Sequence, residues 1–278
     1  MSTDFDRGAL LAARSATYVL HQDIADTYSR PIRSLSQRLV VVPKHLHYDQ
    51  QRIADTIRVE HAEVGGSRRH TDRFHNSVIR VDIPVVHERV EFRVRAVLRR
   101  ELGDCIDSVA WAPSTTPLTE PDEALRDTAA TLRHASVRDT VTAMSSCIRN
   151  AFEYSHDVTS IRTTAAEAWQ LRRGVCQDMA HVMLAMCAAL DLPARYVSGH
   201  MVGDGASHAW VEVYDAAHRE VLAIDPTHDR FTDLRYITTA TGRDYRDVAP
   251  TSGTYASLGA RGTLSVRKTI RIATLDGA

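Results

Sequence analysis

The chain has 278 residues, 44% apolar and 25% charged, the composition of an ordinary soluble globular protein with room for one or two domains and a core that needs no staples. With 34 basic and 35 acidic residues the net charge is -1, so no long-range field favours DNA, RNA or an anionic membrane as partner. Four cysteines, Cys105, Cys147, Cys176 and Cys187, match neither a zinc site nor a small disulfide framework.

The first twenty residues hold only a short apolar stretch, Ala9 to Ala13, with charges on both sides, which is neither a signal peptide nor a membrane span. A reducing compartment, the cytoplasm, is the expectation. Lysine occurs only at Lys44 and Lys268, as in proteins of GC-rich bacterial genomes.

The N-terminal third reads as β. Runs at 15–20, 36–42, 53–59, 76–83 and 90–97 alternate or cluster β-formers, and Pro43, Gly65-Gly66-Ser67 and Pro84 punctuate them. Short strands at this spacing predict a β-sandwich of about 100 residues, assigned to residues 1–112. It contains no nucleophile constellation. His45 and His47 lie two apart and invite a metal reading, but no carboxylate or cysteine joins them at supporting spacing, so a solvated or packed pair is preferred. His70, His75 and His87 read as surface or interface residues.

Residues 113–121, with Pro113, Pro117 and Pro121, look like an inter-domain linker, and a second domain follows over 122–278. Helices are predicted from Glu123 to His134 and from Val137 to Tyr154, the second with Val141, Met144, Ile148 and Phe152 as an apolar stripe. A third, Ala165 to Leu171, carries a capping-box signature in Thr163-Thr164 and Glu167.

The most informative stretch is Gly174-Val175-Cys176-Gln177-Asp178-Met179-Ala180-His181. Met179, Met183, Met186 and Leu190 recur at helical spacing and Leu192-Pro193 ends the run, predicting an amphipathic helix from about 176 to 190. Its first turn offers a positive dipole end and unpaired N–H groups, which favour a thiolate. Cys176 is therefore a candidate nucleophile, the alternative being a buried structural cysteine. A β-rich run, Ala194 to Gly199, follows. Next, His208-Ala209-Trp210-Val211-Glu212-Val213-Tyr214 reads as a half-buried strand with His208 at its entrance. A further strand, Val221 to Ile224, delivers Asp225. Pairing of these two strands as a hairpin would set Asp225 beside His208 and leave the other imidazole nitrogen for Cys176, the nucleophile, base and orienting carboxylate of cysteine acyl transfer. Gly262 to Ile272 alternates as a last strand, expected to close the core sheet.

The blocks around Cys176, Pro193-Ala194-Arg195-Tyr196-Val197-Ser198-Gly199, Ser207-His208-Ala209-Trp210-Val211-Glu212-Val213 and Asp225-Pro226-Thr227, in that order, resemble the transglutaminase-like superfamily of papain-type cysteine enzymes. The segment Gly242 to Pro250 is similar to one typical of a bacterial branch with its own N-terminal β domain. The resemblance covers the chain from about residue 15 to its end. It implies an α+β fold, an N-terminal β-sandwich followed by a papain-like transglutaminase core of helices on an antiparallel sheet. It also implies Cys176 as nucleophile, His208 as general base and acid, and Asp225 as orienting carboxylate. Two positions depart from the family pattern: Val221-Leu222-Ala223 where a Trp is frequent, and Asp191 where a Gly is.

A thiolate attacking a carbonyl needs donors for the developing oxyanion. Candidates are the Cys176 N–H and the side chains of Gln170 and Tyr154, each weighed against a packing or surface role. Asp178 reads as a helix-dipole carboxylate, although its charge would oppose a thiolate, and His181 and Arg195 read as structural. The expected activity is cysteine-dependent acyl transfer on amide bonds of peptides or proteins, as a protease, amidase or transglutaminase. Alternatives are an amide-forming acyltransferase on a small-molecule or carrier-bound thioester, or a non-catalytic binding module on the same scaffold. No cofactor and no metal, calcium included, is implied.

Overall fold

A computed structural model describes residues 7–103, 114–203 and 207–276. Cys105, Pro113 and the centre of the loop before Ser207 lie outside them. After a short helix α1 (Arg7–Ala12) come β1 (Ser15–Tyr28), β2 (Ile32–Val42), β3 (Leu46–His47), β4 (Gln50–Glu60), β5 (Gly66–Thr71), β6 (Ser77–Val86) and β7 (Arg89–Glu101). The helical segment comprises α2 (Glu123–Thr131), α3 (Val137–Ala151), β8 (Glu153–Tyr154), α4 (Ala165–Leu171), β9 (Arg173–Gly174) and α5 (Cys176–Ala189). It leads into β10 (Ala194–Met201), β11 (Ser207–Asp215), β12 (Glu220–Asp225), β13 (Arg230–Phe231), β14 (Tyr236–Gly242), α6 (Tyr245–Val248), β15 (Thr251–Ala256) and β16 (Gly262–Asp276).

Two sheets make the sandwich, in strand orders β16-β1-β7-β4-β3 and β15-β2-β6-β5. Inward residues of both, among them Ile24, Phe92 and Val94 from the first and Leu35, Leu39, Val81 and Ile83 from the second, share one apolar core. The N-terminal runs are strands as read.

The C-terminus differs from expectation. β16 pairs antiparallel with β1 from Gly262↔Tyr28 to Asp276↔Ser15, and β15 pairs with β2, so the chain returns to the sandwich instead of closing the core sheet. Alternation identifies a strand but not its partner. In β16 only Ile270 is buried, so the backbone ladder, more than side-chain packing, holds the strand to β1.

The second sheet system has the order β13-β12-β11-β10-β14, all antiparallel. Helix α5 packs on β10 and β11 and is surrounded by α2, α3 and α4. Met179, Met183, Met186 and Leu190 are buried as read, but so are Ala180, His181, Val182, Leu184 and Ala185, so the helix is central rather than amphipathic. Strand β11 is likewise buried on both faces from His208 to Val213. Ala209, Val211 and Val213 face the helical core, while Glu212 bonds to His47, which the sandwich supplies.

The sandwich docks through polar clasps on β14, an edge strand of the core sheet. The Gln50 amide donates to Thr238 O (2.7 Å) and accepts from Thr238 N (2.8 Å), and Asn76 does the same at Thr241 (2.8 and 2.9 Å). Edge backbone groups that would otherwise be buried unpaired are thus satisfied. The expected linker is also ordered where described: Thr116, Leu118 and Thr119 are buried, and Leu118 O accepts the Ala165 N–H at 2.8 Å, at the start of α4. No helix among the described residues is long and apolar enough to cross a membrane.

Candidate active site

The approach to Cys176 is built from local chemistry. Helix α4 opens with the Thr164–Glu167 capping box and ends on Arg172 in the left-handed region (φ 55°), its guanidinium stacked on Trp169. The chain then runs through β9, which pairs in parallel with β8, and enters α5 with Val175 as N-cap and Cys176 as the first helical residue. Asp178 completes the turn. Its Oδ2 accepts from Val175 N (2.8 Å) and from the Thr159 hydroxyl (2.7 Å), so the carboxylate turns back onto the chain before the helix. Gly174 is required here, because a Cβ at that position would lie 2.6 Å from Asp178 Oδ2. Burial raises the Asp178 carboxyl pKa, with the Val175 and Thr159 bonds opposing.

His208 and Asp225 come from neighbouring strands of the β11–β12 hairpin. Asp225 Oδ2 accepts from His208 Nε2 at 2.8 Å, which leaves Nδ1 free of that bond, and Cys176 is close enough to the same imidazole to act on its charge. Burial by itself would lower the His208 pKa, but Asp225 and Cys176 outweigh it and raise it to about 10. For Asp225 burial would raise the pKa; His208, His228 and Tyr236 outweigh it and hold the carboxyl well below the usual range. The three residues read from sequence are thus brought together.

Four further residues complete the array and were not singled out from sequence. His228 Nδ1 reaches Asp225 Oδ2 at 2.7 Å, and Tyr236 Oη donates to the same oxygen at 2.7 Å while accepting from Arg230 Nε at 2.8 Å. The indole of Trp210 stacks near His208 (centroids 6.3 Å) and meets Tyr236 edge-on (5.4 Å). Room for that indole comes from Gly199, opposite His208 in the β10–β11 register, where a Cβ would collide with Trp210 and with Ile237 O. It also comes from Ala223, partly buried beside Val197, Trp210 and Tyr236 at one of the positions that departs from the family pattern. The other departure, Asp191, has φ 56°, a conformation glycine favours and aspartate tolerates. His228 had a local signal, three residues after Asp225 across a Pro226 turn; Tyr236 had none.

The remaining candidates separate. Gln170 lies on the exposed side of α4 and lines a shallow groove with Ser160, Arg162, Glu167 and Leu171. Tyr154 is about half exposed, aligned with Gly174 in the β8–β9 pair, its ring edge-on to His156. His181 is fully buried, accepts the Tyr245 N–H at 3.1 Å and packs on Tyr196, which gives the 242–250 segment its docking point. Arg195 Nε donates to Glu212 at 2.7 Å, and His47 Nε2 reaches the other oxygen at 2.8 Å; burial lowers the His47 pKa, with Glu212 opposing and Lys44 and Arg195 adding. His45, by contrast, is exposed. Ligand atoms of His208, Asp225 and His228 lie within 4.8 Å of one another, the one such group among the described residues, and its contacts to Asp225 are hydrogen bonds.

A profile of the transglutaminase-like superfamily matches residues 125–226, from α2 through the residue after Asp225. An uncharacterised protein of Mycobacterium leprae is 31% identical over 229 residues, covering 73% of this chain and 81% of its own. One of Mycobacterium tuberculosis is 36% identical over 167 residues, or 55% of this chain and 48% of that protein. Among solved structures, a provisionally assigned cysteine protease of Cytophaga hutchinsonii superposes with a TM-score of 0.75 at 21% identity, over 95% of this chain and 93% of that one, a likeness of fold. With its helices on an antiparallel sheet, its own β domain and these matches, the chain belongs to the transglutaminase-like superfamily.

Proposed function

We propose that this protein is a cysteine acyl-transfer enzyme acting on amide bonds of peptides or proteins, with Cys176 as nucleophile, His208 as general base and acid, and Asp225 as the orienting carboxylate. The observation that supports this reading is the His208 imidazole bonded through Nε2 to the buried Asp225 carboxylate, with Cys176 at the start of α5 as its electrostatic neighbour.

Cys176 passes its proton to His208 and the sulfur attacks the amide carbon, forming a C–S bond and placing charge on oxygen. The backbone N–H of Cys176 at the free end of α5 is the first oxyanion donor, and Gln170 and Tyr154 are candidates for the second. Collapse of the tetrahedral intermediate breaks the C–N bond, and His208 gives its proton to the leaving amine. A water or a second amine then loses a proton to His208, attacks the thioester and releases Cys176. The buried Asp225 keeps the imidazolium oriented and stabilised in both halves of the cycle.

Mass spectrometry of glutamine-containing peptides incubated with the protein and excess primary amine tests this, with Cys176→Ala and Asp225→Ala alongside. Wild type should give amine adducts if the acceptor is an amine, and cleaved or deamidated peptides if it is water. Asp225→Ala should slow either product about a thousandfold, and Cys176→Ala should abolish it. Products equally abundant with Cys176→Ala would refute the reading.

A further inference from the structure

Asp225 Oδ2 carries more than the expected partner. Three donors converge on it: His208 Nε2 at 2.8 Å, His228 Nδ1 at 2.7 Å and Tyr236 Oη at 2.7 Å, while Oδ1 accepts from Thr227 N at 2.9 Å. The side chains of Asp225 and His208 are 0% and 4% exposed, whereas that of His228 is 35% exposed. His228 therefore stands between the buried pair and solvent, its ring centroid 5.1 Å from that of His208. It is held there deliberately by the chain. The turn after β12 brings His228 back over Asp225 and ends on Asp229 in the left-handed region (φ 49°), whose carboxylate is anchored by Ser145 and Ser146 of α3 at 2.7 and 2.8 Å.

We infer that His228 is a positioning residue: a second imidazole that locks the Asp225 carboxylate in place and keeps water off its hydrogen bond to His208. A carboxylate with one free lone-pair direction toward solvent would take a water there, and the local dielectric would rise. Either change loosens the imidazole that must exchange a proton with Cys176. Displacements of about 1 Å in such arrays cost on the order of a hundredfold in rate. Tyr236 cannot substitute, because it approaches from β14 and is itself tied to Arg230.

This inference rests on the acyl-transfer reading, and its test needs no substrate. The second-order rate of alkylation of Cys176 by iodoacetamide, in which the C–S bond forms and iodide leaves, is measured by mass spectrometry at neutral pH. The proteins compared are wild type, His208→Ala, His228→Ala, His228→Asn and His228→Phe, with thermal unfolding of each variant as a folding check. Asn keeps an N–H donor near the position of Nδ1 but covers less; Phe keeps the cover without the donor. We expect His208→Ala and His228→Ala both to slow alkylation about tenfold or more, Asn to recover most of the rate and Phe little of it. Wild-type speed in His208→Ala would overturn the acyl-transfer reading and this inference with it. His208 dependence together with a His228→Ala rate within about twofold of wild type would overturn the role of His228 alone. Full recovery by Phe, or none by Asn, would overturn the hydrogen-bonding role.

Discussion

Mild acid should destabilise this fold before its paired carboxylates Asp225 and Glu212 titrate. His181 and His200 are 0% and 3% exposed and sit as neutral rings. Burial pushes His181 from 6.5 down to about 4, Arg246 adding and Asp244 opposing, and pushes His200 to about 3, with Lys268 adding. Below 6.5 the unfolded chain binds protons at both rings while the folded chain does not, so stability falls with falling pH until the folded values are reached. From about pH 7 to about pH 5 the linkage integral gives a loss of about 2 kcal/mol per histidine. His208, raised to about 10, works the other way by about 1 kcal/mol over this interval. For these three histidines together the loss is about 3 kcal/mol, a large fraction of ordinary domain stability, and His47, also lowered by burial, acts in the same direction. Asp225 and Glu212, held low in the fold, lose their contribution only below this window, as pH falls past the ordinary carboxylate values. Urea unfolding followed by tryptophan fluorescence across that pH range measures the slope. His181→Gln keeps an acceptor for the Tyr245 N–H and cannot ionise, so together with His200→Gln it should flatten the profile. Equal stability at both ends of the range in the wild type, or an unchanged slope in the double variant, would show that these rings do not govern it.

Other sites give independent expectations. Gly199→Ala forces a Cβ against Trp210 and Ile237 O and should cost about 3 kcal/mol, with a changed near-ultraviolet circular dichroism signal from the displaced indole; an unaltered spectrum and Tm would contradict the packing described. Glu212→Ala strips a buried acceptor from both Arg195 and His47, and urea titration should show a loss of about 3–5 kcal/mol, with Glu212→Gln milder. Truncation after Ala256 removes β16 and opens the long edge of β1. Size-exclusion chromatography should then show association or unfolding, and a stable monomer would mean that β16 is dispensable.

Local chemistry was legible where one element determines itself. The capping box of α4, the helix begun by Cys176, and the hairpin carrying His208 and Asp225 need only short-range pattern and appear as read. Degree of burial was not legible: α5 and β11 are covered all round by elements far away in the chain. The same limit hid Tyr236, eleven positions from Asp225 and on a strand separated from β12 by two others.

The sequence by itself determined which residues, Cys176, His208 and Asp225, would meet and the order of the elements that carry them, because residue type, helical spacing and the β11–β12 hairpin act over short distances. Tertiary structure alone decided the rest. Strand alternation does not name a partner, so only the folded chain shows β16 on β1, and Gln50 and Asn76 clasping β14. A carboxylate accepts from whichever donors the fold brings near, so only the fold sets His228 and Tyr236 beside His208 on a single oxygen of Asp225.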